Sequence, residues 1–193
     1  MRWLLILPLA LMTAACRDEA QALPDPVQMT AQAVGHYCQM NLLEHPGPKA
    51  QVHLEDNPNP LFFSQVRDAI AYARMPEQAA PITVIYVSDM ARAPDWDHPG
   101  DSNWMPATAA HYVIGSRRDG GMGAPETVPF SDAAAAQAFA AEWGGQVVAY
   151  DAIRSEDVLS AGAPAPDAAT DAADQDDYAS RLRALAPQRE TNP

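Results

Sequence analysis

Two sulfur side chains stand close together in the segment His36-Tyr37-Cys38-Gln39-Met40. Residues two apart on an extended strand point to the same side, so a strand over 35–40 would place His36, Cys38 and Met40 on one face. A thiolate beside a thioether favours Cu(I), because a thioether is a poor ligand for Zn²⁺, Mg²⁺ or Ca²⁺. The spacing therefore predicts a soft-metal site. The alternative is that both side chains pack in the core, where Cys and Met are common.

A second exposed thioether is predicted at Met122, in the run Gly120-Gly121-Met122-Gly123. Its glycine neighbours have no side chains to cover it, and an uncovered position is unusual for a core methionine. Met122 is either a third ligand or an incidental methionine in a hairpin loop, depending on whether the fold brings this loop beside Cys38. The weaker ligand candidates, each more typical of a core residue, are His36, Met90, Met105 and His111.

The first 15 residues have the pattern of a lipoprotein export signal. A single cation, Arg2, precedes an apolar run over residues 3–12, and small residues lead to Cys16. The run is too short to span a bilayer as a mature helix. Cys16 is then the lipidated mature N-terminus, although Thr13 stands where an aliphatic residue is usual. Ordinary signal cleavage and a buried N-terminal helix are the alternatives.

Lipidation of Cys16 would leave Cys38 as the single thiol of the chain. An oxidising compartment normally pairs cysteines, so one thiol requires a metal, a reactive nucleophile or an intermolecular partner as its explanation. The sequence contains no Gly-x-Ser-x-Gly, His-Glu-x-x-His, Gly-rich phosphate loop or Cys-x-x-Cys motif. The run from Asp95 to His98 lies between prolines, which is typical of a solvated loop rather than of an acid/base pair. We therefore expect no enzyme activity.

Composition limits the partners and the size of the ordered part. The 193 residues include 25 Asp and Glu against 12 Lys and Arg, a net charge of −13, so nucleic acid is not an expected partner. Eighteen prolines and few aromatic residues predict a folded part smaller than the chain. We expect a flexible tether over 16–29 in which nothing packs, a globular domain over 30–158, and a disordered acidic Ala/Pro-rich tail over 159–193.

An internal similarity at an offset of 67 residues predicts the fold. Phe63-Ser64 and Phe130-Ser131 each precede a helix-period segment, over 65–74 and 132–143, with the serines as expected N-caps and Gly144-Gly145 as the end of the second helix. An upstream pair, His36-Tyr37 and His111-Tyr112, is assigned to the same repeat. The strand candidates are residues 35–40, 50–54, 83–87, 110–114, 127–129 and 146–150. The predicted class is α+β, with two similar ββα-type units over about 30–80 and 105–155, each a small sheet with a helix on one face.

An ordered series of motifs over residues 34–155 resembles the NosL family, the copper-binding accessory lipoproteins of nitrous oxide reductase assembly. A lipoprotein signal precedes them, and the motifs are His36-Tyr37-Cys38-Gln39-Met40-Asn41, His45-Pro46-Gly47-Pro48-Lys49, Ser88-Asp89-Met90, Trp96, Trp104, Ala110 to Ser116, Gly121-Met122-Gly123-Ala124-Pro125-Glu126 and Pro129-Phe130-Ser131. The resemblance implies two ββα-type units as in organomercurial lyase-like domains.

The same resemblance implies a function and a ligand set. It implies a periplasmic, membrane-anchored Cu(I) chaperone that passes copper to a NosDFY-type membrane complex and, through it, to nitrous oxide reductase. Cys38 and Met40 match the family's Cys-x-Met ligands, and Met122 matches the methionine of its Gly-Met-Gly loop. The rival hypothesis is a lipoprotein interaction module that binds no metal and uses a single free thiol.

Truncation after Val158 is expected to leave the melting temperature and copper binding unchanged, because residues 161–177 contain almost no large apolar side chain. Thermal denaturation of the full and shortened chains measures this directly. A fall of several degrees in the melting temperature would show that the tail packs on the domain.

Overall fold

The fold is described from a computed structural model that covers residues 22–76 and 78–159. The predicted export signal, the lipidation site Cys16 and the predicted tail beyond residue 159 lie outside these residues. Within the described part, every helix is too short or too polar to cross a membrane.

The first sheet has four antiparallel strands in the spatial order β2-β1-β3-β4. Its strands are β1 (Ala50–Leu54), β2 (Leu61–Phe63), β3 (Ile82–Ser88) and β4 (Trp104–Pro106). Helix α1 (Val66–Arg74) covers one face, and its buried Val66, Ala69 and Ile70 recur at helical spacing to pack on the apolar residues of β1 and β3. This is the larger of the two sheet cores.

The second sheet has three antiparallel strands in the order β6-β5-β7. They are β5 (His111–Ile114), β6 (Val128–Phe130) and β7 (Gln146–Ala149), with α2 (Ala133–Trp143) on one face. Alternation along β5 divides its side chains between two cores: Tyr112 and Ile114 join the core of the first sheet, and Val113 packs in the core beneath α2. A short helix, α3 (Ser155–Leu159), adds buried Val158 to the first core.

The two sheets repeat one topology, which confirms the α+β class with two similar units. In each unit a strand, a hairpin partner, a helix and a third strand follow in that order, and the first strand is central. The offset of 67 residues holds where β2 and β6 end and where α1 and α2 begin. The pairing of His36-Tyr37 with His111-Tyr112 is wrong, because the register places His111 at the position of Ala50, each opposite the last residue of the hairpin partner.

The helix ends differ from the expected caps. Ser64 and Ser131 are not N-caps, since α1 begins after Gln65 and α2 after Asp132. The Asp132 carboxylate accepts hydrogen bonds from two backbone N–H groups of the first turn, the interaction that an N-cap supplies. Gly144, at φ +78°, ends α2 as expected.

Residues 24–29, assigned to the predicted tether, lie along the first sheet. The Tyr86 hydroxyl donates to the Pro24 carbonyl (2.8 Å), and the side-chain amide of Gln51 exchanges two hydrogen bonds with the backbone of Val27 (2.8 and 3.0 Å). The expectation that nothing packs is wrong here, because Gln51 lies on the face of β1 away from α1 and pairs with the Val27 backbone.

Candidate metal centre

Cys38 lies in a tight loop, so the expectation of a strand over 35–40 is wrong. The Gly35 N–H donates to the Met40 carbonyl (3.0 Å), and the Gln39 N–H donates to the Gly35 carbonyl (2.8 Å). Gln39 has a φ of +55°, which turns the chain back on itself. The side chains of His36, Cys38 and Met40 are therefore not aligned on one face of a strand.

The Cys38 thiol points back over its own loop. Its Sγ lies 3.7 Å from the Ser64 hydroxyl oxygen, and a Cβ at Gly35 would lie only 2.5 Å from that sulfur. Glycine at position 35 is therefore required for this orientation. The thiol is half-buried, whereas Met40, at the end of the same loop, is 43% exposed.

His36 packs in an aromatic cluster instead of lining up with Cys38. Its ring contacts Phe63 and Tyr72 edge-on, with centroid distances of 5.5 and 5.7 Å, and Tyr37 also contacts Phe63. These contacts anchor the loop of Cys38 to the core of the first sheet.

Met122 lies at the tip of a hairpin from the second unit. The Gly120 N–H donates to the Ala124 carbonyl (2.8 Å), the Gly123 N–H donates to the Gly120 carbonyl (3.0 Å), and Met122 is 41% exposed. We call residues 118–126 the Met122 hairpin.

The Met122 hairpin and the loop of Cys38 meet at Ser64. A Cβ at Gly121 would lie 3.2 Å from the Ser64 carbonyl oxygen and 2.7 Å from the Cβ of His45, so the hairpin backbone packs directly on the first unit. The Ser64 hydroxyl contacts Cys38 on its other side. The fold thus brings the second-unit loop beside Cys38, which is the condition that the ligand interpretation of Met122 requires.

The imidazole of His45 is a further candidate metal ligand, and the sequence analysis did not assign it. Its Nδ1 lies 3.0 Å from the Gly121 carbonyl oxygen. A carbonyl only accepts, so Nδ1 carries the proton and a neutral ring keeps its lone pair on Nε2. Nε2 is buried and has no hydrogen-bond partner among the described residues. In the sequence, His45 lies seven residues after Cys38 in a loop without a periodic pattern. Only its place in a family motif distinguishes it from other polar loop residues.

Glu126, the last residue of the Met122 hairpin, has a buried carboxyl. Oε1 of Glu126 accepts from the backbone N–H groups of Arg67 (3.0 Å) and Thr127 (2.8 Å), and Oε2 is without a hydrogen-bond partner in the described part of the chain. Burial raises the pKa of Glu126 to about 8. Burial also lowers the pKa of Lys49 to about 8, and this ammonium donates to two backbone carbonyls of residues 46 and 47.

The other candidates from the sequence lie apart from this site or in packed positions. Met90 packs against the core beneath α2, Met105 is buried in the core of the first sheet, and His111 is half-buried in β5. The Asp95 and His98 side chains contact each other at 3.0 Å while mostly exposed, as expected for a solvated loop. Over residues 22–76 and 78–159, no three His, Cys, Asp or Glu side chains are grouped to hold a metal ion.

An α+β domain with a half-buried thiol and two exposed thioethers on neighbouring loops has the features of a soft-metal-binding protein. The chain belongs to the NosL family, whose sequence model matches residues 26–158. It is 58% identical over 178 residues to the copper-binding lipoprotein NosL of Achromobacter cycloclastes, covering 92% of this chain and 90% of that protein. It is 30% identical over 137 residues to the copper-binding lipoprotein NosL of Stutzerimonas stutzeri, covering 71% and 70%.

A solved structure shares the fold. The crystal structure of the copper chaperone NosL from Shewanella denitrificans matches with a TM-score of 0.63 and 31% identity, over 67% of this chain and 96% of that one. The family resemblance is confirmed by these matches. The relatives are named as binding proteins and a chaperone, which agrees with the expectation that the chain is not an enzyme.

Glu126 should make the stability of the domain fall as pH rises from about 5 to about 8. Over that range the folded protein keeps a proton on Glu126 that the unfolded chain has lost, because the folded pKa is about 8 against an ordinary 4.5. Glu126→Gln keeps an oxygen for the two backbone N–H groups and removes this titration. Its free energy of unfolding, measured in urea across this pH range, should therefore fall less than that of the parent protein.

Glu55→Gln is the matched control for this measurement, because it removes an exposed carboxylate instead of a buried one. It should leave the pH dependence of the parent unchanged. Identical pH profiles for Glu126→Gln and the parent would show that the buried carboxyl is ionised in the folded protein at all these pH values.

Proposed function

We propose that this protein is a periplasmic, lipid-anchored Cu(I) chaperone that supplies copper for the maturation of nitrous oxide reductase. The observation that carries the proposal is the meeting of two loops at Ser64, one presenting the Cys38 thiol and the other the Met122 thioether. Membership of a family whose named members are copper-binding lipoproteins supports both the metal and the anchor.

The proposed ligands are the Cys38 thiolate and the thioethers of Met40 and Met122, with the His45 Nε2 as a further donor at the edge of the set. Thiolate and thioether sulfur together select Cu(I) among the common biological metals. The lack of a group of three His, Cys, Asp or Glu side chains in the described residues means that a metal here would rely on thioethers. That reliance supports the reduced oxidation state.

The surroundings of the site suit metal transfer. Residues 34–43 include no Asp, Glu, Lys or Arg, in a chain of net charge −13. Exposed large apolar side chains occur in this segment at Val34, Tyr37, Met40 and Leu43, and in the Met122 hairpin at Met122. An uncharged apolar surface around exposed ligands allows a partner to dock closely and to replace the thioethers one at a time. The proposed partner is a NosDFY-type membrane complex that serves nitrous oxide reductase.

The proposed anchor is a lipid on Cys16, which would hold the domain near the periplasmic face of a membrane. Among the described residues, Pro24 contacts the first sheet, since its carbonyl accepts a hydrogen bond from Tyr86. From residue 16 to residue 24 the chain can reach at most about 28 Å when fully extended. The domain would therefore work close to the membrane, where a membrane-bound partner is found.

The alternative function is a lipoprotein module whose half-buried Cys38 forms a mixed disulfide or a partner contact without metal. Competition for Cu(I) between the purified protein and a bicinchoninate-type chelator separates the two hypotheses. One equivalent of Cu(I) withheld from the chelator supports the chaperone. If the protein withholds no Cu(I) from the chelator, the interaction-module hypothesis is supported instead.

Cys38→Ser is expected to abolish Cu(I) binding, because a serine hydroxyl is a hard, weakly acidic donor that supplies no anionic sulfur. Met40→Leu should weaken binding about tenfold, which corresponds to about 1.4 kcal/mol, while the fold is kept. Chelator competition measures both changes. Met90→Leu is the matched control, since this thioether packs against the second core and its loss should leave the affinity unchanged.

Unchanged copper retention by Cys38→Ser would overturn the site. An equal loss in Met90→Leu and Met40→Leu would show that the ligand set has been assigned wrongly.

Copper release should depend on the partner. Transfer to membranes that carry the NosDFY-type complex should be faster than loss into buffer, because ligand exchange at an open site never frees the ion. The rate should fall as salt rises, since the net negative charge of the chain attracts a basic partner over a distance and salt screens that attraction. Equal loss rates with and without the complex would refute the chaperone mechanism and leave a storage role.

A further inference from the structure

Arg118, at the base of the Met122 hairpin, lies between two indole rings. Its guanidinium carbon is 4.6 Å from the centroid of the Trp96 ring and 4.7 Å from that of Trp143. Phe139 stacks against both indoles, at 6.1 and 6.4 Å. We call Trp96, Arg118 and Trp143 the indole sandwich. Its members come from the loop after β3, the hairpin and the end of α2, so the sandwich joins three separate segments.

The indole sandwich is linked to the candidate metal centre through Arg118 and through Trp96. Through Arg118, whose carbonyl accepts from the Glu126 N–H (3.2 Å), it holds the first backbone bridge of the Met122 hairpin. Through Trp96 it holds the loop of His45, because the Trp96 carbonyl accepts from the Gly47 N–H (2.8 Å) and a Cβ at Gly47 would lie 3.0 Å from the indole. The base of the hairpin and the loop against its tip are thus fixed by one cluster.

We propose that Arg118 is a positioning residue for copper binding: held between Trp96 and Trp143, it fixes the Met122 hairpin so that the Met122 thioether stays beside Cys38. This inference rests on the proposed function, since it takes Met122 as a ligand. The hairpin tip consists largely of glycines, which give it little stiffness of its own. A cation between two aromatic faces restrains the hairpin from its base without placing a side chain near the metal.

The competing explanation is that the indole sandwich only stabilises the second unit. The two explanations predict different copper affinities when the Arg118 and Met122 substitutions are combined. If Arg118 acts through Met122, removing its guanidinium has no further effect on copper affinity once the thioether is gone, whereas a general loss of stability acts independently of Met122.

The test compares Cu(I) affinities in a double-mutant cycle on the purified protein. Arg118→Ala should weaken binding about tenfold. X-ray absorption of its Cu(I) complex should show one sulfur neighbour fewer than the parent. In the Met122→Leu background, Arg118→Ala should change the affinity by less than about twofold. Arg118→Lys keeps a cation between the rings and should restore most of the affinity.

Arg74→Ala is the matched control. Arg74 also lies over an aromatic ring, that of Tyr150 at 5.1 Å, but on α1 and outside the hairpin and the loops that touch it. Its loss should leave copper affinity and the sulfur count unchanged. If Arg118→Ala unfolds the chain, Arg118→Gln, which keeps a planar polar group without the charge, takes its place in the same cycle.

An unchanged affinity in Arg118→Ala, or an equal loss with and without Met122, would overturn the positioning role. Either result with normal copper binding by the parent leaves the proposed function standing. No Cu(I) binding by the parent protein would instead overturn the proposed function and this inference together.

Discussion

The candidate metal centre depends on one close contact between the two units, the packing of the Gly121 backbone on Ser64 and His45. Any side chain at position 121 would overlap these groups. The contact matters because the proposed donors come from different halves of the molecule, Cys38 from the first and Met122 from the second. Neither unit alone holds both sulfur atoms, so the proposed site requires the docking of the two units.

This docking buries polar groups that need partners. Arg67 and Thr127 donate backbone N–H groups to one oxygen of Glu126, and the Gln65 amide donates to the Ala124 carbonyl (3.1 Å). The second oxygen of Glu126 is left without a partner in the described residues, which burial makes costly if the group is charged. A raised pKa lets the group stay neutral and reduces that cost.

Loops tied to the core and exposed candidate ligands occur together in this domain. The loop of Cys38 is tied to the core through the ring of His36, and the Met122 hairpin is tied to it through Arg118 and Glu126. The thioethers themselves stay more than two-fifths exposed. A fixed backbone with accessible donors is what a carrier requires, because it must bind a metal ion and also let another protein reach it.

The sequence by itself determined the elements whose signal is local. Helical spacing in α1 and α2 and alternation in β1 and β5 lie within single segments, so the α+β class and the repeated units followed from them. The donor types at Cys38, Met40 and Met122 were visible as well, because the preference of sulfur for soft metals is a property of the side chain. The short strands β2 and β4 were missed, although β6, which also has three residues, was among the predicted strands.

Only the tertiary structure decided how the donors are arranged. Gln39 adopts a positive φ because the loop closes through hydrogen bonds between Gly35 and Met40, and residue types alone do not show this. The environment of His45 depends on a contact with Gly121, 76 residues away along the chain, and that of Arg118 on two distant indoles. Such contacts form only when both units are folded and docked, so they leave no periodic trace in the sequence.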